Sequence, residues 1–482
     1  MIDMVKWSAL LDSVRQGTKV RIDSREVEDG DVFVALPGFK LDGTEFIQDA
    51  IKRGAKYVVC SEGVENYSGN RGVEIIKIPD PRAGLGELAR AYYRTGEFEY
   101  KLIGITGTNG KTTISYLLEH VLQEAGWRVG VIGTVSYRCP GFVQEADLTT
   151  PGCLQTHELL SRMGKQGVDV VCMEVSSHAL DQGRVQGLEF DQAVFSNLTQ
   201  DHLDYHQQME IYFQTKSSLF DAQNGHKPVG VVNLDDDYGL RLAEEKEAKW
   251  GYTLLDHCTG VDSCLRGKLQ KNSRQGLELE LLLQDGKWNV TSPLIGEYNA
   301  SNILAVQAAG LELGLSINEL QNNVAGFTGV PGRLEKILNS GGLHIILDYA
   351  HTPDALQNLL SSVSKLDFDK IVVLFGCGGD RDKKKRPHMG KVVSEFADKI
   401  VLTSDNPRNE DPKQIIEEIL PGIKRGTEVQ QIEDRRSAIH SAVSGLGERD
   451  VLIIAGKGHE NYQQIGEQKI EFNDAAVVRE FV

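Results

Sequence analysis

Ten residues constrain this chain more than any others: Gly104-Ile-Thr-Gly-Thr-Asn-Gly-Lys-Thr-Thr113. A β-branched run (Leu102, Ile103, Ile105) leads into them. Behind them Ile114, Leu117, Leu118, Val121 and Leu122 fall on one face of a helix that Gly126 can end. A strand, a glycine turn and a helix in that order make a phosphate cradle. The glycines let backbone N–H groups close on an anion, the helix N-terminus favours negative charge, and Lys111 adds a mobile cation. Gly107, Thr108, Asn109, Gly110, Lys111, Thr112 and Thr113 are therefore the candidate nucleotide-binding residues, with Thr112 or Thr113 offering a hydroxyl to Mg2+. The spacing departs from the strict phosphate-loop pattern, which would place its first glycine at Ile105; here the glycines are 104 and 107. An ordinary glycine turn is the other reading, and Gly110-Lys111-Thr112 at a strand–helix junction argues against it.

A chain of 482 residues is too long for one core. Strands alternating with helices along its length predict an α/β protein of three domains. These are a small N-terminal α/β domain (1–98), a central P-loop mononucleotide-binding domain with a parallel sheet (99–331), and a C-terminal Rossmann-like α/β domain (332–482). A net charge of −17 argues against nucleic-acid partners and anionic membranes, so an anionic ligand must be met by local cations. Seven scattered cysteines, none in C-x-x-C spacing, predict neither a zinc site nor a disulfide framework, and reduced thiols in a cytoplasm fit. Met1–Gln16 lacks the apolar core of a signal peptide, and no apolar run reaches transmembrane length. A soluble, cytoplasmic monomer without membrane insertion is expected.

In the first domain, strands at Asp31–Leu36 and Lys56–Cys60 and a helix at Thr44–Arg53 are expected. Ser24, in the turn Asp23-Ser24-Arg25, is either a cap or a polar ligand contact. In the second, the apolar run Val168–Glu174 reads as a strand buried on both faces, and Ala193–Phe195 as another. Ligands of open α/β sheets gather beyond the carboxyl ends of strands, which brings Glu174, His178, Asp201 and His202 toward Lys111. Glu174 and His202 are either magnesium ligands or, respectively, an ion-pair partner and a helix cap. Leu277–Leu283, Asp285-Gly286 and Trp288–Val290 predict a hairpin. After Pro331-Gly332-Arg333, strands at His344–Leu347, Ile371–Phe375, Lys399–Leu402 and Val451–Ile454 end in polar clusters, which suggests a second small-molecule pocket.

Six motifs occur in order: Thr106–Thr113, Glu174-Val-Ser-Ser-His178, Asn197-Leu-Thr-Gln-Asp-His202, Gly296-Glu-Tyr-Asn299, Gly332-Arg333 and Asp348-Tyr-Ala-His-Thr-Pro353. Together they resemble the ATP-dependent Mur ligases of peptidoglycan precursor synthesis and the related folylpolyglutamate synthetases. The resemblance implies ATP as co-substrate, Mg2+ as cofactor, and amide-bond formation through an acyl phosphate. It also implies small-molecule partners: UDP-N-acetylmuramoyl-L-alanyl-D-glutamate as the acid, bound by Ser24, Thr149, Thr150, Ser176, Gln182 and Arg184, and meso-2,6-diaminopimelate as the amine, bound by Arg381, Asp405, Asn406, Pro407, Arg408, Gly456 and Glu460. Arg408 suits the far carboxylate of a diamino diacid, which a guanidinium fork grips bidentately.

The same resemblance adds Asn299, Arg333 and Asp348 to the ATP contacts and makes Lys111, Lys216 and His202 catalytic. Thr112, Glu174, His202 and Lys216 become the metal set, Lys216 as its N6-carboxylated form. Read from its own segment, Lys216 in Tyr212-Phe-Gln-Thr-Lys216 is instead a solvent-facing helix lysine.

Overall fold

A computed structural model describes residues 3–38, 42–64, 72–284, 286–337 and 339–482; Asp285, in the expected hairpin turn, lies outside them. The fold is α/β throughout. The chain divides into two compact units, one of residues 1–253, 257–264 and 308–313, the other of 254–256, 265–307 and 314–482.

The first unit carries two sheets. Strands β1 (Val20–Arg21), β2 (Val32–Val34), β3 (Tyr57–Ser61) and β4 (Glu74–Ile78) pair in parallel and in sequence order. Alternate residues take opposite faces. Val32, Val34 and Val59 pack on Trp7, Leu10, Leu85 and Leu88 of the helices Met4–Arg15 and Pro81–Tyr93. Phe33, Val58 and Cys60 pack on Ile47 and Ala50.

The larger sheet holds β5 (Lys101–Thr106), β6 (Val129–Ile132), β7 (Ser136–Cys139), β8 (Phe142–Glu145), β9 (Val170–Glu174), β10 (Gln192–Phe195), β11 (Val229–Asn233) and β12 (Trp250–Thr253). Their order is β12-β11-β10-β5-β9-β6-β7-β8, parallel from β12 to β6. Every residue of β9 is buried, as its apolar run predicts. β5 lies between β9 and β10, with Ile105 opposite Glu174 and Thr106 opposite Phe195. The chain leaving Thr106 is therefore bracketed by the ends of both neighbours, the usual ligand crevice of such sheets.

In the second unit β13 (Ser263–Ser273, in this unit from Leu265), β14 (Gly276–Leu283) and β15 (Gly286–Ser292) form an antiparallel meander. The hairpin is the expected one. β13 escapes sequence reading because Arg266, Lys268 and Lys271 interrupt any apolar signal. A six-stranded sheet follows: β16 (Glu335–Lys336), β17 (His344–Asp348), β18 (Ile371–Phe375), β19 (Lys399–Leu402), β20 (Glu428–Gln431) and β21 (Val451–Ala455), ordered β16-β17-β21-β18-β19-β20. All but β16 run parallel, so the polar clusters after β17, β18, β19 and β21 share one edge. A last hairpin, β22 (Tyr462–Ile465) and β23 (Gln468–Glu471), follows.

Two of those ends are tied from behind. Arg435, fully buried, forks onto Asp474 with both nitrogen–oxygen distances at 2.7 Å, and donates to the carbonyls of Ser404 and Ala455 beyond β19 and at the end of β21. Asp474→Ala would leave a buried guanidinium without its counter-ion. We expect it to destabilise this unit by about 3–5 kcal/mol, read as a lowered denaturant midpoint.

The thiol expectation needs one correction. Cys258 and Cys264 are joined as a disulfide, with Cα atoms 5.7 Å apart, while Cys60, Cys139, Cys153, Cys172 and Cys377 are buried and free. The loop after β12 folds back and brings Cys258 to Cys264 at the start of β13, a pairing that the absence of C-x-x-C spacing could not foretell. Among the described residues, no helix is long and apolar enough to cross a membrane.

Candidate active site

The loop after β5 has the shape its glycines require. Gly107 sits at φ +141°, and a Cβ there would lie 2.0 Å from Ser196 Oγ; Gly110, at φ +90°, caps the helix Lys111–Glu124. Gly107 thus makes the close approach that the strict spacing assigns to position 105. Gly104 serves packing instead, its missing Cβ leaving room for the Phe190 ring. Thr108 N donates to Asn197 O, and Asn109 N to the Asn197 side chain, so the β10 end fixes the loop. Lys111 Nζ folds onto the carbonyls of Gly107 (2.8 Å) and Thr108 (3.0 Å).

Lys216 reaches the same carbonyl. On the helix Met209–Ser217, it is 1% exposed and its Nζ donates to Gly107 O at 2.8 Å. Burial, reinforced by Lys111, pushes its amine well below the usual lysine range, against the pull of Asp201. The solvent-facing reading of this residue is overturned. Tyr212, one helical turn back, is buried on the same face.

Glu174, at the end of β9, is wholly buried among hydroxyls. Its carboxylate accepts from Thr112 Oγ1 (2.9 Å), Thr134 Oγ1 (2.8 Å), Thr134 N (3.1 Å) and Ser115 Oγ (3.3 Å). A Cβ on Gly133 would lie 2.3 Å from Glu174 Oε1, so glycine there gives the carboxylate its place. Hard oxygens in a dry pocket beside a phosphate loop are a donor set suited to Mg2+. Sequence reading found Thr112 and Glu174 but missed Gly133, Thr134 and Ser115.

His202 lies near the phosphate loop, its ring 6.3 Å from that of Tyr212, whose hydroxyl meets Thr108 Oγ1 at 3.2 Å. The His202 side chain is 46% exposed, its Nε2 lies 3.5 Å from Asp201, and its ring meets His178 edge-on at 4.9 Å. Five of the six residues expected at the acid substrate form one network. Thr149 Oγ1 meets Thr134 Oγ1 at 3.2 Å, Thr150 Oγ1 donates to Glu174 O, and Ser176 N donates to Thr150 Oγ1. Arg184 bonds Gln182 Oε1 and Thr150 O. Ser24 lies apart, in a 3-10 turn of the N-terminal region, with its hydroxyl on Asp49.

The second unit carries the remaining residues. Asn299 Nδ2 donates to Ile295 O at 2.8 Å. Asp348 accepts from Leu334 N and Ala350 N, both at 2.8 Å. Its withdrawal from water pushes the carboxyl up, against the pull of nearby Arg333. The Arg333 guanidinium lies over the Tyr349 ring, 5.0 Å from its centre.

Across the same sheet edge, Asn406 donates to Glu460 at 2.8 Å, and fully buried Lys457 holds both side chains. A Cβ on Gly456 (φ +112°) would lie 2.7 Å from Asp405 Oδ2. Arg408, at φ +50°, is bracketed by the last hairpin: its N–H donates to Gln464 O and its carbonyl accepts from Gly466 N. Its Nη1 donates to Gly379 O at 2.8 Å. A Cβ on Gly378 would contact both Arg408 and Arg381, and one on Gly379 would lie 1.8 Å from Pro407 O. The seven residues expected to bind an amino acid thus share one edge; Lys457 was not anticipated.

A phosphate loop with an acid-and-hydroxyl pocket on one unit, and a carboxylate–guanidinium pocket on the strand ends of another, define a nucleotide-dependent, two-substrate class. Comparison with known proteins gives the family. Residues 18–93 match the Mur ligase family catalytic domain, 105–310 the Mur ligase middle domain, and 332–458 the Mur ligase glutamate ligase domain. The chain belongs to the Mur ligase family.

It is 49% identical over 461 residues to the UDP-N-acetylmuramoyl-L-alanyl-D-glutamate–2,6-diaminopimelate ligase of Lawsonia intracellularis, covering 96% of this chain and 95% of that one. The ligase of the same name from Gloeobacter violaceus is 43% identical, covering 95% and 92%. A solved structure of a ligase so named aligns with a TM-score of 0.71 at 35% identity, over 96% of this chain and 94% of that one.

Proposed function

We propose that this chain is an ATP-dependent, ADP-forming ligase that adds 2,6-diaminopimelate to UDP-N-acetylmuramoyl-L-alanyl-D-glutamate in peptidoglycan precursor synthesis. The observation that carries this reading is the pocket of Asp405, Asn406, Arg408 and Glu460: carboxylates for an ammonium and a guanidinium for a carboxylate, as a diamino diacid needs. The meso isomer, a monomeric state and a cytoplasmic setting belong to the same proposal. So does a division of labour among residues 1–98 for the nucleotide sugar, 99–331 for ATP and 332–482 for the amino acid.

The γ-phosphoryl group of ATP passes to the D-glutamyl carboxylate, giving an acyl phosphate and ADP. The amine of diaminopimelate then attacks the acyl carbon, the amide forms, and phosphate leaves. Two anions must meet, so the loop N–H groups and Lys111 hold the phosphates and spread the developing charge. Thr112 and Glu174, with His202 and carboxylated Lys216, would hold Mg2+, which when bound neutralises phosphate charge. Thr149, Thr150, Ser176, Gln182 and Arg184, with Ser24, orient the acid substrate; Asn299, Arg333 and Asp348 contact ATP. Water must be kept from the acyl phosphate, which it would hydrolyse. Lys216 becomes a carbamate when its neutral amine attacks CO2: a C–N bond forms and one proton goes to solvent.

Phosphate release with the nucleotide sugar and ATP, offering diaminopimelate, lysine or glutamate separately, tests the assignment. Release with diaminopimelate alone is expected; equal release with lysine would overturn it. Gly133→Ala, by displacing the Glu174 carboxylate from Thr112 and Thr134, is expected to cost about a hundredfold in kcat/KM for ATP.

A further inference from the structure

A cavity of about 210 Å³ opens in the second unit at the far end of β17 from Asp348. Four residue steps of strand separate His344 from Asp348, about 13 Å along the strand. Its floor and walls are largely apolar, among them Ile295, Leu343, Ile345 and Phe368, and among the described residues its ionisable lining groups are basic: Arg274, Lys336 and His344. In a chain with 69 acidic and 52 basic residues, an all-basic lining is against the run of the composition.

The three bases are not equivalent. Lys336 Nζ is spent on structure, donating to the carbonyls of Pro293 (2.6 Å), Arg274 (3.1 Å) and Gln275 (3.5 Å). His344 stacks edge-on against Phe368, 5.3 Å between ring centres. Among the described residues, the Arg274 guanidinium has no hydrogen-bonding or ion-pair partner. Burial, and then the positive charge of Arg274 and Lys336, hold the His344 imidazole below its usual range.

We propose that this cavity is a binding site for a small organic carboxylate with an apolar body, its acid group on Arg274 and its body against Phe368, Leu343 and Ile345. The volume equals the share of roughly seven liquid waters, enough for one ring and a carboxylate. The site is separate from the ligase pockets but lies behind two segments that lead to them. Ile295 supplies the carbonyl that holds Asn299, and Lys336 follows Arg333 by three residues.

Phenylacetate and its uncharged counterpart 2-phenylethanol distinguish a built anion site from a greasy hole, with binding followed by calorimetry and by the His344 ring signals in NMR. We expect phenylacetate to bind at least about tenfold more tightly than the alcohol, as a charge-assisted hydrogen bond allows. We also expect it to raise the His344 pKa. Arg274→Gln should abolish the tenfold preference while leaving alcohol binding and the thermal midpoint unchanged. Leu343→Trp, which fills the cavity, should abolish binding of both. Equal affinity for acid and alcohol, absence of binding by either, or an unchanged preference in Arg274→Gln would each overturn the proposal. None of these readouts depends on ligase activity.

Discussion

Lys216→Met is expected to lower kcat by about a thousandfold, with ATP affinity changed far less. The side chain lies where charge must be handled, on the carbonyl of Gly107 beside Lys111. A second ammonium there would repel Lys111. Burial and that repulsion instead push the amine well below the usual lysine range, which favours its neutral form, and a neutral amine is the form that takes up CO2. Carboxylation turns a costly buried base into an anion that suits magnesium. Methionine keeps the length and packing against Tyr212 while removing the nitrogen. In the unaltered enzyme, rigorous removal of CO2 should lower the rate and bicarbonate should restore it. A methionine variant with ordinary turnover, or a rate indifferent to CO2, would remove carboxylation from the mechanism.

Arg408→Ala is expected to cost about a hundredfold to a thousandfold in kcat/KM for diaminopimelate, while residual turnover with lysine stays unchanged or rises. The guanidinium is pre-set by its backbone at φ +50° and by Gly379 O, so little ordering is left for binding. Lysine lacks the second carboxylate and has nothing to lose. Equal loss for both acceptors would mean that Arg408 props up the loop and does not select.

The phosphate loop was legible because its requirements are local: glycines where φ is positive, a β-branched run before, an apolar helix face after. The strand ends beyond Asp348, Phe375, Leu402 and Ala455 were legible for a related reason, since parallel strands with buried centres read as apolar runs. What the sequence hid depends on partners distant along the chain. Gly133 and Thr134 matter only because β6 lies beside β9, which brings them to Glu174. Lys216 looked solvated because lysine usually is, although its helical neighbours Tyr212 and Phe213 already marked that face as buried. β20 and β23, rich in Glu, Gln and Lys, carry no alternation to read.

Arg408 owes its pose in part to a ribbon whose outer strand, Gln468–Glu471, is exposed along its whole length. Such a strand is free to drift in composition without disturbing the interior. With Arg408 in its proposed role, exchanging this ribbon would retune discrimination between amines while leaving the phosphate loop untouched, which makes it a natural cassette for engineering.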